Sequence, residues 1–200
     1  MYNSIKKIKI AVFISGRGSN MVSLIKTSKK QKFPASVSLV IANNEFAKGI
    51  KSAKNYNVPV KIFDKKKYNK SKFEAQSNLV LLKYKIEMIC LAGFMQILSE
   101  NFINKWKNRI INIHPSYLPK NKGLNAQKQA LEGNARFTGC TVHFVNKKID
   151  SGKIIMQKKV KIMHNDNLES LSNRILKQEH IVYPIALKKL ATKIIKFKKL

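Results

Sequence analysis

The chain has 200 residues, 44% of them apolar, which suits one domain that buries a core without help from metal or disulfide. Forty Lys and Arg against ten Asp and Glu give a net charge of +30, yet only Arg17, Arg109, Arg136 and Arg174 are arginine. Lysine spread through every segment fits a compositional bias, whereas a nucleic-acid face concentrates charge and reads with Arg and aromatics.

Residues 8–14 (IKIAVFI) form an unbroken apolar run, as in a parallel strand buried on both faces. The basic flank before it superficially resembles a signal peptide, but the run is short and no small-residue cleavage site follows. The run leads into Ser15-Gly16-Arg17-Gly18-Ser19-Asn20 and then a helix with Met21, Leu24 and Ile25 on one side. Strand, glycine turn and helix can aim backbone N–H groups at an anion, with Ser19 or Asn20 as cap or phosphate contact. An ordinary turn remains the alternative. Strands are expected at 37–42 and 58–63, and helices at 46–55 and 66–85, the latter with Tyr68, Phe73, Leu79, Leu82 and Tyr84 as its apolar positions. A fourth buried strand spans 86–94. The local pattern of Met95-Gln96-Ile97-Leu98 favours a loop packed on the core, with a ligand wall as the alternative.

Ile110–Ile113 is a short apolar strand that delivers Asn112 and His114 to its tip. Residues two apart on a strand face one side, so amide and imidazole leave together. Pro115 then ends the ladder. Such a pair suits an acyl-transfer site. A helix follows between Gly123 and Gly133. Strands at 140–145 and 153–161 flank a loop ending Asp150-Ser151-Gly152, which reads as an antiparallel hairpin. A final helix runs from Asp166 to about Leu190, with a frayed basic tail over 191–200. Alternating β and α implies a doubly wound, mainly parallel α/β sheet (Rossmann-like) with ligands at the carboxyl ends of its strands.

Asp150 is one of three aspartates and reads either as turn chemistry or as the acid that completes the site. His143, His164 and His180 read as packed or surface residues. Cys90 and Cys140 lie in apolar segments without a nucleophile setting, which fits a reducing, cytoplasmic compartment. No metal motif and no run of roughly 20 apolar residues appears, so neither metal nor membrane is expected.

SGRGSN (15–20), LAGFMQILS (91–99), INIHPSYLPK (111–120), GLNAQKQALEG (123–133), TGCTVHFVNKKIDSGKIIMQKKV (138–160) and QEHIVYP (178–184) stand in one order. Together they resemble the phosphoribosylglycinamide formyltransferase family over residues 8–187. The resemblance implies formyl transfer from 10-formyltetrahydrofolate, the co-substrate, to the amine of glycinamide ribonucleotide, without metal. It implies Asn112, His114 and Asp150 as catalytic residues. Gly18, Ser19 and Asn20 match the phosphate loop, with Glu179 a further ribonucleotide contact. Lys70, Met95, Gln96, Ile97, Leu98 and the segment Asn146, Lys147, Lys148, Ile149, Asp150 match the folate contacts, together with Asn112. Asn125-Ala126-Gln127 stands where many members carry histidines, Lys122 where Pro is common, Gln96 where Arg is common and Lys70 where Arg is common. These departures touch folate-loop detail rather than reaction class. The expected partners are the two small molecules, with nucleic acid held only by non-specific electrostatics, and the protein a monomer or homodimer. Methionyl-tRNA formyltransferase is the alternative from the same superfamily, but it lacks the SGRGSN loop and carries a further C-terminal domain. A non-catalytic basic nucleic-acid module is the alternative from another class.

Overall fold

A computed structural model describes residues 7–198, so the basic flank expected over residues 1–6 lies outside it. Five parallel strands are ordered β3 (Val60–Ile62), β2 (Ala35–Ala42), β1 (Ile8–Ile14), β4 (Met88–Leu91) and β5 (Ile110–His114). Antiparallel β6 (Phe137–Phe144) and β7 (Ile154–Lys161) extend the sheet beyond β5, as the hairpin reading expects. Seven strands with helices on both faces make the doubly wound α/β architecture.

The apolar run of β1 explains its place at the centre. Val12 packs on one face with α1 (Ser19–Ser28) and α6 (Leu168–Phe197), while Phe13 packs on the other with α3 (Lys70–Lys83) and α4 (Glu100–Lys105). Between β1 and β4 the chain order reverses, the point where open α/β sheets bind ligands. Two loops are tied together there: Ser15 N–H donates to Gly93 O (3.2 Å), and Met95 N–H donates to Ser15 Oγ (2.7 Å).

Several element readings change. The helix expected over 46–55 is α2 (Gly49–Asn55), and Phe46 is exposed ahead of it. In α3, Leu79 and Leu82 face solvent; Phe73, Ser77 and Leu81 are the buried side, because a helix beside a lysine-rich surface carries leucine on both faces. α4 went unpredicted: it is six residues long, too short for a periodic signal, and is held by a Ser99 cap and by Glu74, which accepts Ser99 N–H (2.6 Å). β6 is buried along most of its length rather than alternating, since it lies between two strands with α6 against it. The tail is not frayed over 191–197. α6 continues to Phe197, with Ala191 fully buried and Ile194 and Ile195 packed against the core. Asn167 caps its start through a reciprocal bond with Ser170.

Candidate active site

β1 ends in a turn whose geometry depends on glycine. Gly18 has φ +71°, and a Cβ there would lie 2.9 Å from the Gly49 Cα and 3.2 Å from the Met21 side chain. Two backbones therefore meet closely at the start of α1. Gly18 is itself the N-cap and no side chain caps the helix, so neither Ser19 nor Asn20 takes the capping role considered from sequence. The first-turn N–H groups of α1 face outward with the positive end of the helix dipole, a setting for an anion. Asn20 instead turns inward. Its Nδ2 donates to Glu179 Oε2 (2.6 Å), joining α1 to α6, while its Oδ1 is buried without a partner. Burial pushes the Glu179 carboxyl above its ordinary value, and the Asn20 bond opposes that only in part.

The second cluster forms at the tip of β5. Asn112 is half-buried and His114 buried. Antiparallel pairing sets His143 of β6 directly opposite Asn112, and Thr141 opposite His114. Across the hairpin, Gly152 lies so close to the Phe144 carbonyl that a Cβ would sit 1.7 Å from its oxygen, so the loop closes there only around glycine. That closure carries Asp150 over the strand tip. Its Oδ2 lies 3.3 Å from His114 Nδ1 and its Oδ1 lies 3.5 Å from His143 Nε2. Gly123 N–H also donates to Oδ2 (2.8 Å). Burial alone would raise the Asp150 pKa; the His143 hydrogen bond, the Gly123 N–H and the charge of the two histidines outweigh it and leave the carboxyl lowered. Asp150 is thus ionised at neutral pH.

Both ring nitrogens of His114 face acceptors. Nε2 bonds Asn121 O (2.8 Å), and Nδ1 faces the Asp150 carboxylate. Each ring nitrogen therefore has a partner, and the Nδ1 edge is the one aimed at the cluster. His143 Nδ1 bonds Phe144 O (2.8 Å), leaving Nε2 toward Asp150 and, at 3.4 Å, toward the Asn112 amide.

His143, read from sequence as a packed or surface residue, joins the cluster between Asn112 and Asp150. Its place opposite Asn112 follows from the β5–β6 register, which no local pattern reveals; the one available signal was its position seven residues upstream of Asp150 on a predicted hairpin. His164 is exposed, as read. Burial pushes both cysteine thiols up to about 12, so they stay protonated in the core.

The two loops beside β5 hold the remaining predicted residues. In the loop after β4, Phe94 turns inward to stack on Phe73 (5.7 Å), and Leu98 is buried. Met95 and Ile97 are 65% and 61% exposed, so this loop both packs on the core and presents apolar side chains. Gln96 accepts a bond from Asn43 Nδ2 (3.1 Å). Lys70 is exposed on the first turn of α3, one turn before Phe73. In the β6–β7 loop, Asn146 Oδ1 accepts Lys148 N–H (3.1 Å), Lys147 lies 3.5 Å from Glu100, and Ile149 is exposed. Lys122 donates to Ser151 Oγ (3.0 Å), and Asn125 takes a left-handed conformation just ahead of α5 (Ala126–Glu132).

A doubly wound sheet carries a glycine turn after β1 and an Asn–His–Asp cluster at the tip of β5, both at the carboxyl edge of its parallel strands. The chain belongs to the formyl transferase family, whose model matches residues 8–187. It is 38% identical to the phosphoribosylglycinamide formyltransferase of Bacillus subtilis (strain 168), across 91% of this chain and 94% of that one. The crystal structure of phosphoribosylglycinamide formyltransferase from Anaplasma phagocytophilum superposes with a TM-score of 0.88 at 41% identity, covering 94% of this chain and 89% of that one. The trifunctional purine biosynthetic protein adenosine-3 of Gallus gallus is 43% identical over 93% of this chain, which spans 19% of that longer protein. No helix among the described residues is long and apolar enough to cross a membrane.

Proposed function

We propose that the chain transfers a formyl group from 10-formyltetrahydrofolate to the amine of N1-(5-phospho-D-ribosyl)glycinamide, a step of de novo purine synthesis. One observation carries the reading. The Asn112–His114–Asp150 cluster and the Gly18–Asn20 turn, with its Glu179 partner, occupy the same carboxyl edge of the sheet. The activity named for the bacterial relatives supports it.

The nucleophile is the substrate's own amine, so no enzyme nucleophile is needed. The α1 turn holds the phosphate, Asn20 and Glu179 bond the ribose side, and attack becomes effectively intramolecular. Met95, Ile97 and Ile149 stand exposed on the two loops that flank β5, an apolar wall suited to the flat ring of a folate. The folate supplies the formyl carbon. As the amine nitrogen bonds to that carbon, its oxygen gains negative charge. The Asn112 amide and the His114 imidazolium donate to it, each such donor being worth about 10²–10³ in rate. Asp150 orients His114 and sets a negative charge beside it; with a lowered pKa it is a weak base and acts chiefly through its charge. The amine proton passes, by way of water held at Asp150, to the folate nitrogen as its bond to the formyl carbon breaks.

The test mixes the protein with both substrates and follows release of the deformylated folate. Release that depends on the ribonucleotide is the expected result. Release without it makes the chain a hydrolase, and formylation of charged initiator tRNA makes the acceptor a nucleic acid; either outcome overturns the proposal.

A further inference from the structure

On the outer side of α1, away from the Asn20–Glu179 contact, lies a cavity of about 540 Å³. One face of α1 lines it, from Ser19 through Ser23 and Lys26 to Thr27, and the groove runs on to Lys30. Arg17 stands at one end, and His180 of α6 and Ser52 of α2 complete the wall. The lining holds three fixed cations and an imidazole, and no carboxylate. Among the described residues, Arg17, Lys26 and Lys30 form no ion pair. A smaller pocket between Lys32 and α6 also gathers lysines (Lys32, Lys188 and Lys196), but it holds no arginine and no imidazole. Arg17 is also one of only four arginines.

A second observation points to a ligand. His180 Nε2 is buried and has no hydrogen-bond partner. Its backbone oxygen accepts a bond from Ser23 Oγ (2.8 Å), which pins His180 against α1 at the groove. Burial lowers the His180 pKa, so the ring is uncharged until something anionic arrives. A buried unpaired ring nitrogen beside unpaired cations is a cost that a bound anion removes. The hydroxyls of Thr27 and Ser52 add donors. Only Val22 is apolar in the lining, and no Phe, Tyr or Trp is present. The groove follows α1 for about 14 Å, room for more than one phosphate group.

We infer that this groove is a second anion site, taking a polyphosphate group, which begins at Arg17 and Ser19 of the α1 turn and runs on along α1, outside the pocket enclosed by Asn20 and Glu179. The site stands independently of the formyl-transfer reading, since its loss leaves the β5 cluster untouched. Bound there, a polyphosphate bridges α1, α2 and α6, the three helices that support the turn. It would thereby report a phosphorylated metabolite to the substrate loop.

The test is a calorimetric titration of the full chain with inorganic tripolyphosphate, alone and with saturating glycinamide ribonucleotide. Paired variants are Lys26→Gln/Lys30→Gln in the groove and Lys105→Gln/Lys107→Gln on the opposite face of the sheet. Expected is one site that persists under saturating ribonucleotide. Groove variants weaken it by about tenfold or more, opposite-face variants leave it unchanged, and both pairs keep the parent kcat. In the same titration the His180 ring resonances shift while those of exposed His164 do not. Absence of binding, equal weakening by both pairs, or loss of binding under saturating ribonucleotide overturns the inference. The last outcome would put the anion on the α1 turn itself.

Discussion

The two halves of the site are built in different ways. The proposed anion turn is local: Ser15 to Asn20 are consecutive, and the donors assigned to it are backbone N–H groups at Gly18 and the start of α1. The cluster at β5 is assembled from distance. Asn112 and His114 come from one strand, His143 from its antiparallel neighbour, Asp150 from the hairpin loop, and Gly123 and Asn121 from a third segment. The first half therefore resists change in side chains and is sensitive to change in backbone. The second is the reverse, since the chemistry proposed for it rests on ionisable side chains, with His114 and His143 3.3 and 3.5 Å from the Asp150 carboxylate.

The largest effect expected is on turnover at the β5 cluster. His114→Ala should lower kcat by about 10²–10³, the scale for losing one oxyanion donor. Combining it with Asp150→Asn should cost little more than either change alone, because the two side chains act as a unit. Multiplicative losses in steady-state assays would separate their roles.

Gly18→Ala should act on the other half. It forces a left-handed residue to carry a Cβ against Gly49, so the ribonucleotide KM rises while the chemical step is retained. The φ value alone costs about 1–2 kcal/mol. A fall in kcat at unchanged KM would contradict the division between backbone and side-chain halves.

Smaller still is Glu179→Gln. The carboxyl pKa is raised by burial, so its ionised form opposes folding as pH climbs above the ordinary glutamate value, and that penalty grows up to the raised folded value. Removing the charge should raise Tm at neutral pH by about 2–4 °C per kcal/mol recovered, while weakening ribonucleotide binding. Calorimetry reads the first and titration the second; a lower Tm would mean that the Asn20–Glu179 bond outweighs the burial cost.

Asp150 has the opposite sign. Its folded pKa lies below the ordinary aspartate value, so its contribution to stability is complete above that value and is lost as pH falls through the lower folded value. Urea unfolding at acid and neutral pH should show a steeper acid loss for the parent than for Asp150→Asn.

The same contrast governs what could be read from the chain. The turn and the β5 tip are legible because their residues are neighbours with fixed spacing, and the sheet is legible because its buried strands are long apolar runs. His143 is not, because its value depends on which residue of β5 it faces, a matter of register between segments about thirty apart. The helical tail is not, because lysines at its solvated positions mask the period of Leu187, Ala191 and Ile194 beneath them. α4 hides for want of length, although Ser99 ahead of Glu100 carries its start signal.

The most direct measurement compares single-turnover formyl transfer in Asp150→Asn with that of the parent, alongside ribonucleotide affinity in the same preparation. The expected result is a rate lowered by about 10³ with affinity unchanged, since Asp150 supports His114 and not the phosphate turn. Transfer within about threefold of the parent would remove Asp150 from the chemistry, and with it the cluster at β5 as the site of formyl transfer.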